Sequence, residues 1–239
     1  MAPAGPSGRS DPWHLAGRRL YLCTPDRPDL GAFVAACIEG GVDVVQLRDK
    51  ALDDEQVLER SAVVHQVCVH HGVPFILNDR PDLAARAGAD GVHVGQDDPS
   101  PGEARAVVGA DAIVGLSTHS RRDLDEAMAG AGSAVPVDYV SAGPVVSTPT
   151  KPGRPGTGLG YLEDAARRAP WPVWVTGGVT PESAPALAAA GARHFVVVRW
   201  LTEAGDPRAA ARRLRTVIDA CLGPDSADRA PGSAARSRG

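Results

Sequence analysis

Short runs of β-branched residues alternate with alanine-rich stretches of helical spacing along most of the chain, and this alternation excludes most folds before any single residue is weighed. The runs fall at 19–23, 42–47, 74–77, 91–94, 112–116, 137–141, 173–176 and 194–198. Each is followed by a helical stretch, at 30–40, 53–71, 81–87, 100–108, 121–129, 161–169, 181–190 and 207–221. Strands joined through a helix pair in parallel, because the helix carries the chain back to the end from which the next strand must start. Eight such units with short connections predict an α/β fold, a single-domain (β/α)8 TIM barrel, which takes about 250 residues. An open doubly wound sheet is the competing arrangement. Its G-x-G-x-x-G turn is missing after the first strand, where Tyr21-Leu22-Cys23-Thr24-Pro25 stands instead.

Local signals agree with these boundaries. Asp53 and Thr180 read as helix caps, with Pro181 at a first helical position. Gly40-Gly41, Gly88, Gly130 and Gly191 sit where helices stop and the chain turns into a strand. Ala87-Gly88-Ala89-Asp90-Gly91-Val92 and Ala190-Gly191-Ala192-Arg193-His194-Phe195 echo one another, each a helix end entering a strand, as the recurring joint of a barrel would. Residues 1–17 read as a flexible leader without the apolar segment of a signal peptide, 18–222 as the barrel, and 223–239, rich in Ser, Ala, Arg and Gly, as a disordered tail.

Charge and cysteine usage narrow the class of partner. With 25 basic side chains against 29 acidic ones, no broad basic surface argues for nucleic acid. No apolar run approaches the roughly 18 residues that span a bilayer. Cys23, Cys37, Cys68 and Cys221 are scattered without a C-x-x-C pair, which fits reduced thiols in a cytoplasm better than zinc or a disulfide framework. Small-molecule substrates are the expected partners, and a homo-oligomer is compatible with all of these features.

In a barrel of this kind, polar groups at the C-terminal strand ends converge on one mouth. The second strand turns abruptly polar at Gln46-Leu47-Arg48-Asp49-Lys50. A period of two puts Gln46, Arg48 and Lys50 on the face of Val44, and Leu47 and Asp49 on the other, so Asp49 is expected to be structural. The third strand ends in Asn78-Asp79-Arg80, the fourth in Gly95-Gln96-Asp97-Asp98, the fifth in Ser117-Thr118-His119 and the sixth in Ser141-Ala142-Gly143-Pro144. A long loop follows with Ser147-Thr148-Pro149-Thr150-Lys151, punctuated by prolines and glycines like a lid with restricted hinges. The seventh strand ends in Thr176-Gly177-Gly178-Val179 and the eighth in Val198-Arg199. Only the first strand lacks such an ending.

These residue types suit phosphate and a hard cation. Asp79 and an aspartate of the fourth strand end offer oxygen donors to Mg²⁺, which keeps waters and accepts substrate phosphate as further ligands; spacing alone leaves Asp97 and Asp98 both open. Arg48, Lys50 and Lys151 supply positive charge, while Gly177-Gly178 and the helix start at Thr180 let backbone N–H groups approach an anion. His65, His70 and His71 read as helix-surface residues, His93 as a packed strand residue, and His119 as a residue near the mouth. Trp171, Trp174 and Trp200 read as packing.

Taken in order, the motifs Gln46-Leu47-Arg48-Asp49-Lys50, Asn78-Asp79-Arg80, Gly91-Val92-His93-Val94-Gly95-Gln96-Asp97-Asp98, Gly115-Leu116-Ser117, Asp138-Tyr139-Val140 with Gly143-Pro144, Thr148-Pro149-Thr150-Lys151 and Gly177-Gly178-Val179 closely resemble those of the thiamine-phosphate synthases. The resemblance runs from about Leu20 to Ala220, and order and spacing make a set of short motifs specific. It implies a Mg²⁺-dependent enzyme that joins an aminopyrimidine diphosphate to a thiazole phosphate and releases pyrophosphate. By position it implies that Gln46, Arg48, Lys50 and Asn78 bind the pyrimidine diphosphate and that Asp79 and Asp98 hold the metal. Ser117 and Lys151 would contact the pyrimidine substrate or departing pyrophosphate. Thr148, Pro149, Thr150, Gly178, Val198 and Arg199 would form the thiazole-phosphate site. Arg48, Lys50, Ser117 and Lys151 are the implied catalytic groups.

Two positions depart from the family pattern. Arg199 stands where serine usually follows the strand-eight valine, and Ser141-Ala142 replaces a more Gly-rich turn. Two other readings share the barrel: a thiazole tautomerase relative, with His119 as candidate base, and a non-catalytic phosphate-sensing barrel.

Overall fold

The alternating runs form eight parallel strands that close into one ring. The computed structural model of the protein describes residues 15–130, 137–147 and 155–223. Strands β1 (Leu20–Thr24), β2 (Val44–Leu47), β3 (Phe75–Asn78), β4 (Gly91–Val94), β5 (Ile113–Thr118), β6 (Tyr139–Ala142), β7 (Val173–Val175) and β8 (His194–Val197) pair in chain order, and β8 returns to β1. Around them lie α1 (Leu30–Glu39), α2 (Asp54–His71), α3 (Pro81–Ala84), α4 (Pro101–Val108), α5 (Arg121–Gly130), α6 (Gly158–Arg168), α7 (Ala184–Ala189), α8 (Arg199–Thr202) and α9 (Pro207–Leu222). The expected (β/α)8 barrel is therefore the fold observed.

Strand parity divides the core in two. Leu20, Leu22, Val45, Leu47, Val92 and Val94 point outward and join the apolar layer beneath the helices. Tyr21, Val44, Ile76, Ile113, Tyr139 and Trp174 fill the lumen instead. The Tyr21 ring meets Trp174 edge-on at 5.2 Å, and Tyr139 lies 6.1 Å from Tyr21. Aromatic side chains of this size make the lower lumen a packed plug rather than a pore.

Of the two expected caps, Asp53 is observed and Thr180 is not. Asp53 accepts from Gln56 N at 2.9 Å while the Gln56 side chain accepts from Asp53 N, a reciprocal capping box. Thr180 and Ser183 exchange backbone–side-chain hydrogen bonds, so 181–183 form a turn and α7 begins only at Ala184. Helix α8 was not expected; it starts at Arg199, which is thus a helix residue rather than a strand end. The leader also needs correction at its boundary. Leu15–Gly17 form a 3₁₀ turn, and Leu15 is 3% exposed because it packs into the lumen cluster. Residues 1–14 and 224–239 lie outside the described residues.

At the N-terminal rim, an aspartate just before each of three even strands binds the backbone of the preceding odd strand. Asp43 accepts from Leu20 N at 2.9 Å and from Arg19 N, and pairs with Arg215 at 2.8 Å. Asp90 accepts from Phe75 N at 2.8 Å, and Asp138 from Val114 N at 2.8 Å. The equivalent place before β8 is Arg193, the first of the three positions at which the two echoing joints differ. These bonds fix strand register from the end of the barrel opposite the mouth.

Gly115 has a packing role. A Cβ there would lie 2.1 Å from Cζ of Tyr139, whose ring occupies that space. Gly115→Ala is expected to lower unfolding free energy by about 3 kcal/mol through overpacking, read from denaturant melts; unchanged stability would show that the ring can move aside freely.

Candidate active site

Parity continues past the strand ends and builds the mouth. Gln46, Arg48 and Lys50 all line one cavity of about 360 Å³ at the C-terminal end of the barrel, together with Asn78, Asp79, Asp98, Ser117, Gly178, Val198 and Arg199. Leu47 is buried on the outer side. Asp49 turns away from the cavity as its parity requires: it accepts from Ala51 N at 2.9 Å and Asp26 N at 3.2 Å, tying the β1 and β2 loops together. Thr148, Pro149, Thr150 and Lys151 lie outside the described residues, as does most of their proline- and glycine-punctuated loop.

One wall is a compact charged cluster. Asp79 has φ 61, a left-handed conformation that aspartate tolerates better than most residues, and its N–H donates to His93 O at 2.8 Å. Lys50 Nζ sits 2.7 Å from Asp79 Oδ2, and the Asp79 and Asp98 carboxyls are close enough to shift each other's titration. Asp98 Oδ2 also accepts from Gly95 N at 2.7 Å, which anchors it across the β4 turn. The aspartate that meets Asp79 is therefore Asp98, although Asp97 lines the same cavity.

Burial presses the Asp79 carboxyl upward, but Lys50 and Asp98 beside it, with Arg48 nearby, outweigh that and leave the group below the ordinary carboxylate range. Asp98 moves the other way: burial, and then the Asp79 carboxylate beside it, raise it. Two carboxylates this close share a proton unless a cation replaces it. A hard divalent ion that keeps waters and takes phosphate oxygens needs only one or two protein carboxylates, so the pair fits Mg²⁺. No cluster of three or more His, Cys, Asp or Glu offers a fuller cage among the described residues.

The opposite wall is backbone. Gly177 and Gly178 have φ 90 and 76, and a Cβ on either would lie 2.5 Å from Pro144 Cβ or Val146 Cγ2 respectively. The β7 turn is thus pressed against the segment after β6, and only glycine allows both the approach and the dihedral. Arg199, exposed on the cavity rim, opens α8 immediately after Val198. His119 Nδ1–H donates to Gly143 O, and its backbone N–H to Asp123 at 2.7 Å, so its ring is held by the β6 turn.

The floor holds residues that sequence reasoning read as packing or passed over. His93 is buried, yet it lines the cavity and bridges Tyr139 OH and Ser117 Oγ, each at 2.9 Å. Tyr139 OH lies 3.0 Å from Tyr21 OH, which accepts from Gln46 Nε2 at 3.0 Å. The signal for His93 was present in Gly91-Val92-His93-Val94-Gly95: the valines take the outer face, which leaves the imidazole inside. The two tyrosines gave no such signal, because they come from β1 and β6 and meet only across the lumen.

Comparison with known proteins places the chain among relatives. The family model described as thiamine monophosphate synthase matches residues 20–201. A thiamine-phosphate synthase of Arthrobacter sp. (strain FB24) is 42% identical over 230 residues, covering 86% of this chain and 96% of the relative. A thiamine-phosphate synthase of Thermobifida fusca (strain YX) is 45% identical over 205 residues, covering 84% of this chain and 92% of the relative. Among solved structures, a thiamine phosphate pyrophosphorylase from Pyrococcus furiosus superposes with a TM-score of 0.78 at 27% identity, covering 87% of this chain and all of that one.

The carboxylate pair carries a pH dependence. A carboxyl must lose its proton to ligate a cation, and Asp98 keeps its proton to higher pH than Asp79. Mg²⁺ affinity is therefore expected to strengthen as pH rises through the Asp98 titration and to level off above it, with proton release measured by isothermal calorimetry. An affinity that does not weaken as pH falls through that range would remove Asp98 from the cation site.

Proposed function

The chain belongs to the thiamine monophosphate synthase family, and from that premise we propose that it joins an aminopyrimidine diphosphate to a thiazole phosphate, giving thiamine phosphate and pyrophosphate. The observation that carries this reading is the cluster of Lys50, Asp79 and Asp98 facing one cavity with Arg48 and the β7 glycine turn. It offers a diphosphate a cationic wall and a cation site, and offers a second phosphate a separate cradle.

Asp79 and Asp98 would hold Mg²⁺, which when bound supplies charge neutralisation to the diphosphate. Gln46 and Asn78 would orient the aminopyrimidine. Arg48 and Lys50 would grip the diphosphate oxygens, with Lys151 joining them by family resemblance, and Ser117 would donate a hydrogen bond to the same group. As the methylene carbon–oxygen bond breaks, both electrons leave with pyrophosphate, and the electron-rich aminopyrimidine ring stabilises the benzylic-type cation left behind. The thiazole nitrogen then bonds to that carbon. No protein nucleophile is needed, so the protein's task is to hold two substrates close and exclude water.

Gly178, with the N–H groups around it, would take the thiazole phosphate, together with Val198, Arg199, Thr148, Pro149 and Thr150. Arg199 in place of serine adds a guanidinium capable of a bidentate contact to that phosphate.

Pyrophosphate release from both substrates, assayed with and without Mg²⁺, is the decisive experiment; its absence would favour a tautomerase-like or phosphate-sensing barrel. Asp98→Asn is expected to retain the fold by circular dichroism and lose about 100-fold or more in turnover, whereas full activity at limiting Mg²⁺ would exclude Asp98. Arg199→Ser is expected to raise KM for the thiazole phosphate about tenfold, the loss of one charged hydrogen bond, with kcat little changed. An unaltered KM would assign Arg199 to structure.

A further inference from the structure

Beneath the mouth, six side chains from five strands form one continuous series of hydrogen bonds. Cys23 Sγ lies 3.0 Å from Gln46 Oε1, Gln46 Nε2 3.0 Å from Tyr21 OH, and Tyr21 OH 3.0 Å from Tyr139 OH. Tyr139 OH then meets His93 Nδ1, and His93 Nε2 meets Ser117 Oγ, both at 2.9 Å. Ser141 Oγ approaches Ser117 Oγ as a weaker donor at 3.5 Å.

Such a series has a direction. Each hydroxyl in it carries one hydrogen, and a neutral imidazole donates from one nitrogen and accepts at the other. If Gln46 turns its NH₂ group toward Tyr21, the tyrosine must pass its own hydrogen to Tyr139. Tyr139 then donates to His93 Nδ1, and His93 Nε2–H donates to Ser117. Ser117 Oγ accepts from His93 and Ser141, and its own hydrogen is left for the cavity. If the Gln46 amide is reversed, every bond reverses with it, and the Ser117 hydrogen is consumed by His93 Nε2. Inside the series the two directions are matched bond for bond, so the choice is made at its ends.

We propose that Cys23 is a positioning residue for the reaction: by donating its thiol hydrogen to Gln46 Oε1, it holds the amide in the orientation that leaves the Ser117 hydroxyl hydrogen free for an anionic oxygen of the substrate. In the reversed state Gln46 would instead offer N–H to sulfur, a weak acceptor, and the thiol would lose the amide oxygen. The forward state also leaves Gln46 with a second N–H and a second carbonyl lone pair for the pyrimidine edge. Cys23 is 6% exposed and lies in the cavity floor, one strand away from the amide it orients. This inference rests on the reading of the cavity as a diphosphate site, but its first test does not.

That test is ¹⁵N NMR of the imidazoles in the full, ligand-free chain, with the His93 signals assigned by loss in His93→Asn. The Nε2–H tautomer is expected for His93 in the unaltered protein, a mixture with Nδ1–H in Cys23→Ala, and Nε2–H again in Cys23→Ser, which retains a donor. In the pyrophosphate-release assay Cys23→Ala should lower kcat about fivefold, the worth of one neutral hydrogen bond, without changing KM for the thiazole phosphate; Cys23→Ser should restore most of it. An Nδ1–H tautomer in the unaltered protein, or the same Nε2–H tautomer in Cys23→Ala, would overturn the proposal. Absence of pyrophosphate release from every form would instead overturn the synthase reading, while the tautomer would still decide the role of Cys23.

Discussion

Closing eight short parallel strands into a ring leaves each strand with one set of side chains that must fill the lumen and one that must pack under helices. Everything at the mouth depends on that partition. The inward set changes character along the barrel axis, from aromatic rings at the base to amides, hydroxyls and charges at the top. Val44 and Gln46 illustrate the gradient on one strand: the first seals the lumen, and the second begins the polar wall of the cavity. The outer set, Val45 and Leu47 among them, stays apolar throughout. A single-residue slip of β2 would exchange Gln46 for Leu47 at the cavity and abolish the wall, so the apolar layer under α1 and α2 enforces the register of the site as well as that of the fold.

The charged cluster shows why the polar groups can be gathered so tightly. Asp79 is aimed by a left-handed backbone conformation and Asp98 by a bond to its own turn, so neither can retreat from the other. Burial raises both carboxyls, but Lys50 bonds directly to Asp79 and reaches Asp98 only weakly through its charge, so the two are displaced in opposite directions. A pair of carboxyls in a cleft, displaced in opposite directions by burial and by one cation, has the electrostatic pattern of a functional site.

Much of this was legible in the amino-acid sequence, because barrel position follows from periodicity. The parallel barrel comes from the alternation of strands with helices, and the inward face of Gln46, Arg48 and Lys50 and the structural place of Asp49 come from a period of two. What remained hidden depended on contacts that no periodicity encodes. Spacing could not separate Asp97 from Asp98; the bond to Gly95 and the approach of Asp79 do so. Tyr21 and Tyr139 are far apart in sequence and belong to strands that are not neighbours, so their contact exists only once the ring has closed. Arg199 looked like a strand end because helix α8 is a single turn, too short to show a helical period.

The aspartates at the N-terminal rim have a mechanical consequence. They clasp β1 to β2, β3 to β4 and β5 to β6, but Arg193 takes the corresponding place before β8, and β7 and β8 share the shortest register of the ring. Of the four joints that run from an odd strand to the next even one, three are thus riveted at the base and one, β7–β8, is plain. That joint runs up to the glycine turn at the mouth, so the backbone-lined side of the cavity stands on strands without such a clasp, while the strands that carry Lys50, Asp79 and Asp98 each take part in one.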